Sequence, residues 1–181
     1  LPPFTLIGAT TKAGCLSFPL RSRFGINIKI DFYSIEELTK IIKRTSKIFD
    51  IKIEERASIE IAKRSRGTPR IAIQIFKRIR DYFLVNNLSE ISHDNAIKAL
   101  NSLKIDELGL NELDISYLKI LINRFKGGPV GISTIASALG EDVNNIEEVC
   151  EPYLIKIGMI DRTPKGRIAC KKAYNHIKNH I

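Results

Sequence analysis

Cysteine is scarce in this 181-residue chain: Cys15, Cys150 and Cys170 are an odd, widely spaced set with no Cys-x-x-Cys pair. That pattern argues against a disulfide framework and against a zinc site, and it leaves three ordinary thiols. Long apolar runs are missing too. No stretch approaches the ~18 residues that span a bilayer, and no basic segment leads into an apolar one at the start. Neither a membrane span nor a secretory signal is therefore expected, and the expected location is the cytoplasm. His93, His176 and His180 show no convergent ligand spacing, so no metal site is expected. Nor does the chain present a defensible nucleophile elbow, paired-carboxylate motif or Ser/Cys–His arrangement.

What is present is a globular, basic composition. Hydrophobic residues make up 44% and charged residues 27%, enough apolar material for a core, and the length suits one large domain or two small ones. Lys and Arg number 29 against 20 Asp and Glu, a net charge of +9. The excess is segregated: residues 106–155 hold 3 basic and 9 acidic groups, whereas residues 156–181 hold 7 basic groups and one acid, Asp161. Such an end is either a phosphate-facing surface or a lysine-rich solvated face, and composition alone leaves both open.

The run Phe4-Thr-Leu-Ile-Gly reads as a buried strand entering the loop Ala9–Gly14, and Ile26–Phe32 reads as a second strand. Ser34-Ile-Glu-Glu37 has the capping-box spacing, and Ile35, Leu38, Ile41 and Ile42 then form one apolar stripe, so a helix is predicted from there. Further helices are predicted at about Glu55–Arg66, Pro69–Val85 and His93–Leu103, with Gly67 ending the first and Thr68-Pro69 starting the next. From Asp114 the pattern resets into a helix through Phe125, a break at Gly127-Gly-Pro-Val-Gly131, a short helix Ser133–Leu139 ending at Gly140, and a third helix from Asn145 to about Ile157. Met159–Cys170 has apolar flanks around Pro-Lys-Gly, a β-hairpin signature. Three helices followed by a basic hairpin is the layout of a winged helix. The chain thus divides into residues 1–32, a helical domain at 33–105 and a winged helix at 106–181. The fold class is mostly α, with a remnant of an α/β core ahead of the two helical parts.

Four groups of residues carry candidate chemistry. Arg162, Lys165 and Arg167 sit on or beside the hairpin turn with almost no acidic neighbours in sequence. Guanidinium groups on a thin ribbon reach phosphates or a minor groove; a solubilising tip is the plainer reading. The helix before the hairpin carries Glu147, Glu148 and Glu151, which would repel phosphates, so the wing rather than that helix is the expected contact surface. In Phe18-Pro-Leu-Arg-Ser-Arg-Phe24, Arg21 and Arg23 are placed like a finger reaching a neighbour's phosphate, or are plain surface arginines. Arg70 stands in the first turn of a helix, where a cation is a local misfit that a bound anion relieves. Thr10 and Thr11 follow a strand end, where open α/β sheets bind ligands, though plain turn residues read the same way.

Taken in order, the segments Leu1-Pro-Pro-Phe-Thr-Leu-Ile-Gly-Ala-Thr-Thr, Pro19-Leu-Arg-Ser-Arg-Phe-Gly-Ile, Arg64-Ser-Arg-Gly-Thr-Pro-Arg-Ile-Ala, Gly127-Gly-Pro-Val-Gly, Glu151-Pro-Tyr-Leu-Ile and Arg162-Thr-Pro-Lys-Gly-Arg resemble the RuvB family of bacterial AAA+ motors. The resemblance runs over essentially the whole chain. It implies ATP-dependent branch migration of Holliday junctions in recombination and repair, a homo-hexamer, partnership with RuvA and RuvC, sequence-independent grip on DNA, and ATP/ADP with Mg²⁺. By the same resemblance Thr11 matches sensor 1, Arg23 the arginine finger acting in trans with Arg21 beside it, Tyr33 a residue near the adenine, and Arg70 sensor 2. Arg162 and Arg167, with Lys165 between them, match the DNA-contacting positions of the wing.

The family's phosphate-cradling Gly-x-x-x-x-Gly-Lys-[Ser/Thr] and its Walker B acidic pair do not occur here. The expectation is accordingly a C-terminal piece of a longer enzyme, inactive toward ATP alone, with Mg²⁺ ligands elsewhere. Two alternatives stand beside it: a non-enzymatic winged-helix DNA-binding module, and an AAA+ protein of clamp-loader or initiator type.

Overall fold

A computed structural model describes residues 2–10, 13–86 and 89–178. Contacts divide the chain into two units, Leu1–Asp31 and Phe32–Ile181.

In the first unit, Ala13–Cys15 form a 3-10 turn and Phe18–Ser22 a short helix, α1, with Pro19 in its first turn. A proline is tolerated there because its missing N–H has no helical partner anyway. The strands expected at Phe4–Gly8 and Ile26–Phe32 do not form. A strand exists only through the ladder it makes with a neighbour, and among the described residues neither run pairs with another. Their apolar side chains stand exposed as a result: Ile7 is 88% accessible, and Ile26, Ile28 and Ile30 are comparably open.

The second unit opens with four helices, α2 (Ile35–Ile48), α3 (Glu55–Lys63), α4 (Pro69–Val85) and α5 (His93–Ser102). The capping box read from the sequence is made. Glu37 N–H donates to Ser34 Oγ at 3.2 Å and Ser34 N–H donates to Glu37 Oε2 at 2.8 Å. These bonds, first the one from the Ser34 backbone, hold the Glu37 carboxyl below its ordinary pKa. Leu38 and Ile42 of α2, Ile61 of α3, Phe76 and Ile79 of α4 and Leu100 of α5 close on one another as a buried core. Helix α3 stops at Lys63, earlier than the expected Arg66, because Arg64–Arg66 turn inward as a buried segment.

A second core follows. Helix α6 (Glu112–Lys119) runs on through a wider π turn, Ile120–Arg124. Helix α7 (Ile132–Leu139) ends at Gly140, as expected, and that glycine is in the left-handed conformation. The expected helix from Asn145 is one rod in three parts: α8 (Val143–Asn145), a π turn at Ile146–Cys150, and α9 (Glu151–Lys156). Strands β1 (Ile160–Thr163) and β2 (Gly166–Ala169) form the hairpin, with Arg162 opposite Arg167. The Gly127–Gly131 segment does more than break a helix: Val130 exchanges backbone hydrogen bonds with Arg167 at 3.1 and 2.8 Å, giving the hairpin a third bonded edge. Helix α10 (Lys171–Lys178) lies beyond the helices the sequence predicts; its Ala173 and Ile177 seal a core of Tyr117, Leu121, Ile135, Ile146 and Leu154.

The two cores meet at Gly109, whose φ is +76° and where an added Cβ would lie 2.5 Å from the Arg64 carbonyl oxygen. Gly140 has nearly the same φ, +70°, but open space around it. Gly140→Ala should therefore cost about 1–2 kcal/mol from the left-handed backbone alone. Gly109→Ala should cost more, on the order of 3 kcal/mol, because the chain at the junction must also shift. Urea unfolding of both variants checks the ordering; equal midpoints would mean that the junction is not tightly packed.

Candidate functional site

Arg21 and Arg23 lie at the end of α1, Arg23 as its C-terminal cap with its N–H donating to Leu20 O at 3.2 Å. Both side chains are exposed, and among the described residues neither makes an ion pair. Thr11 falls outside the described residues.

Arg70 and Tyr33 share a turn in the second unit. Tyr33 N–H donates to Gly67 O at 2.9 Å, which ties the chain entering α2 to the turn ahead of α4. Thr68 occupies the N-cap of α4 but its hydroxyl caps nothing, and the first turn holds no carboxylate. Arg70 is exposed there. A cation and the positive end of a 17-residue helix dipole stand together there, with no carboxylate in the helix's first turn.

Immediately before that turn sits Arg66, which sequence reasoning passed over. Its backbone is left-handed, φ 55°, and its side chain is buried. The guanidinium pairs with the buried Asp114, donates from Nε to Gly109 O at 2.8 Å, and lies 4.9 Å from the Tyr153 ring centre. Asp114 in turn accepts from Asn111 N–H at 2.9 Å as half of the capping box of α6. Arg64 adds a bond to Ile105 O at 2.9 Å, and the Tyr153 hydroxyl donates to Leu108 O at 2.7 Å. The segment before the candidate nucleotide turn is thus bonded directly into the winged helix.

At the hairpin the expectation of arginines without acidic neighbours needs correcting. Glu151 is fully buried, and both of its oxygens are used: Oε1 accepts from the Tyr117 hydroxyl at 2.9 Å and Arg167 Nε at 3.0 Å, Oε2 from Arg162 Nε at 2.7 Å. Glu147 stands at the rim, its Oε1 3.5 Å from Arg162 Nη1 and 3.4 Å from Arg167 Nη2. The pairing was invisible in sequence because the partners are 11 to 20 residues apart. Burial works against the charge on Arg167, but the hydrogen bond and charge of Glu151 outweigh it and hold the guanidinium pKa above its ordinary value. Lys165 is exposed at the turn. A groove of about 460 Å³ between Arg124, Ser133, Thr134 and Ser137 contains none of the candidate residues.

Taken together, an AAA-type helical lid joined to a winged helix defines the class of protein. Three family models match in succession: the Holliday junction DNA helicase RuvB P-loop domain at residues 1–30, the RuvB AAA lid domain at 33–106 and the RuvB C-terminal winged helix domain at 107–178. The chain belongs to the RuvB family. It is 49% identical over 181 residues to the Holliday junction branch migration complex subunit RuvB of Thermotoga petrophila, covering 100% of this chain and 54% of that protein. To the same subunit of Microcystis aeruginosa it is 53% identical over 177 residues, 98% of this chain and 49% of the relative. The Thermotoga maritima RuvB Holliday junction branch migration motor superposes with a TM-score of 0.90 at 50% identity, covering 97% of this chain and 59% of that one. The chain therefore spans about half the length of these curated relatives.

Two outcomes test this geometry. Asp114→Asn leaves the buried Arg66 charge unmatched and should lower stability by about 3–5 kcal/mol; an unfolding midpoint near wild type would show that Arg66 has another counter-charge. The thiols should separate by environment. Burial, reinforced by the charge and hydrogen bond of Asp114, pushes the Cys150 thiol far up, and Cys150 is buried while Cys15 is exposed. A thiol-disulfide reagent should label Cys15 quickly and Cys150 only on unfolding. The raised value in the folded state also means that stability from Cys150 is present below the ordinary thiol pKa and is lost as pH rises beyond it.

Proposed function

We propose that this chain is the lid and DNA-gripping part of an ATP-driven motor that moves duplex arms through a four-way junction. The observation that carries the reading is one unit holding both an exposed Arg70 in the first turn of α4, where there is no carboxylate, and the hairpin with Arg162, Lys165 and Arg167, the segment before α4 being bonded into the winged helix through Arg66. In this reading Arg70 contacts the phosphates of ATP or ADP and Tyr33 lies beside the base. Arg23, with Arg21 next to it, reaches the nucleotide of a neighbouring subunit in a homo-hexameric ring, and Thr11 senses the terminal phosphate. ATP supplies the driving reaction, with Mg²⁺ held by residues this chain does not contain. What the chain's own residues do is bind phosphate and transmit the resulting movement. Arg162, Arg167 and Lys165 hold the DNA backbone, which makes binding salt-sensitive and nearly independent of sequence.

The names of the relatives place them in a Holliday junction branch migration complex. By analogy the partners here are RuvA, RuvC and junction DNA in the cytoplasm. With no Gly-x-x-x-x-Gly-Lys-[Ser/Thr] of its own, the chain by itself does not hydrolyse ATP.

The test uses the intact protein that contains this sequence. Arg23→Ala should abolish ATP hydrolysis, a loss of about 10³-fold or more, while nucleotide binding measured by fluorescence stays within a few-fold of wild type. Mixing the variant with wild-type subunits should poison the ring beyond simple dilution. Wild-type turnover in the variant would remove Arg23 from the catalytic set.

A further inference from the structure

The two carboxylates that hold the wing arginines are not equivalent. Glu151 is a permanent anchor: it is 0% exposed, and its three close partners come from α6, β1 and β2. Removing it would strand charge and hydroxyl in the core. Glu147 is 44% exposed, and its contacts to the two guanidiniums, at 3.4 and 3.5 Å, are at the loose end of ion pairing. Exposed pairs of that length are weak and screened by salt.

Its position is nonetheless specific. One oxygen, Oε1, is shared between Nη1 of Arg162 and Nη2 of Arg167, residues that face each other across the hairpin. The Glu147 backbone carbonyl also accepts from Arg162 Nη2 at 3.2 Å, so the forks stay aimed at this spot. A phosphate oxygen brought up to the wing would need the same place between the same two forks, and it would bond them more strongly than a distant carboxylate does, because guanidinium–phosphate contacts are charge-assisted and bidentate.

We propose that the Glu147 carboxylate is a stand-in for a DNA backbone phosphate: it bridges Arg162 and Arg167 in the free protein and is displaced when duplex DNA docks on the wing. The proposal rests on the reading of the wing as the DNA grip. With Glu147 in place the four side chains Glu147, Glu151, Arg162 and Arg167 sum to no net charge. Releasing it leaves one positive charge facing the phosphate. Glu147 thereby sets the affinity of the grip without being part of its framework.

The experiment is fluorescence anisotropy of this chain on a labelled duplex and a labelled four-way junction over a salt series. It compares wild type, Glu147→Gln, Glu147→Ala and the double variant Arg162→Ala/Arg167→Ala. Both Glu147 variants should bind about two- to fivefold tighter near physiological ionic strength. Their plot of log affinity against log salt should be steeper by about one, as an extra counterion is released. A gain of affinity is not a consequence of misfolding, so a merely structural role for Glu147 predicts the opposite. If the double variant loses binding while the Glu147 variants bind like wild type or more weakly, the stand-in is wrong and the wing remains the grip. If the double variant binds like wild type, the wing is not the grip, and both readings fall together.

Discussion

The structure depends on a buried positive charge. Arg66 sits in a left-handed backbone position, inside the protein, where an unpaired guanidinium would cost several kcal/mol. Everything that satisfies it comes from the winged-helix side of the junction: the Asp114 carboxylate, the Gly109 carbonyl and the face of Tyr153. The lid cannot part from the winged helix without exposing or orphaning that charge. Gly109 enforces the fit from the other direction, since any side chain there would meet the Arg64 carbonyl. A joint built this way opposes separation of the two cores on either side of it.

Helix α9 carries the consequence across the winged helix. It is only six residues long, yet its side chains touch three different parts of the protein. Glu151 at its start holds Arg162 and Arg167 of the hairpin. Tyr153 lies against Arg66 and donates to Leu108 O. At its end, the Lys156 ammonium sits 3.4 Å from the centre of the Phe32 ring, and burial lowers its pKa. Lys156 Nζ and Phe32 Cβ each come within 2.8 Å of where a Cβ on Gly67 would be, an approach that only glycine at φ +73° permits. The hairpin, the junction and the turn that leads to Arg70 are therefore fastened to one short rod.

Much of this architecture is legible in the sequence where the signal is local. The Ser34–Glu37 capping box, the Thr68-Pro69 start of α4 and the Pro-Lys-Gly hairpin each depend on a few adjacent residues, and each forms where the pattern places it. The failures share a cause. The apolar runs at Phe4–Gly8 and Ile26–Phe32 have strand composition, but a ladder needs a partner, and none pairs with them among the described residues. Helix α10 was missed because its core contacts, Ala173 and Ile177, are few in a segment of basic and polar residues. The sequence shows the wing arginines with almost no acidic neighbours, and Glu147 and Glu151 as a repelling face, because sequence distance hides that these charges neutralise one another. Arg66 carried no cue beyond its place before Gly67, and its counter-charge is 48 residues away.

Neutralisation also bears on what kind of DNA grip the proposed reading makes of the wing. A wing of free arginines would bind phosphate tightly and release it slowly, which suits a regulator that stays on its site. A motor has the opposite need: its contact must form, bear load and let go in every cycle. Arginines already satisfied by Glu151 are held in register at no further entropic cost when DNA arrives, since their rotamers are fixed beforehand. They have little net attraction to offer beyond that, because part of their charge is spoken for. On the proposed reading of the wing, binding is then fast to reverse and indifferent to base sequence. On this view the carboxylates beside the wing are not a flaw in a DNA-binding surface; they keep its affinity low enough for movement.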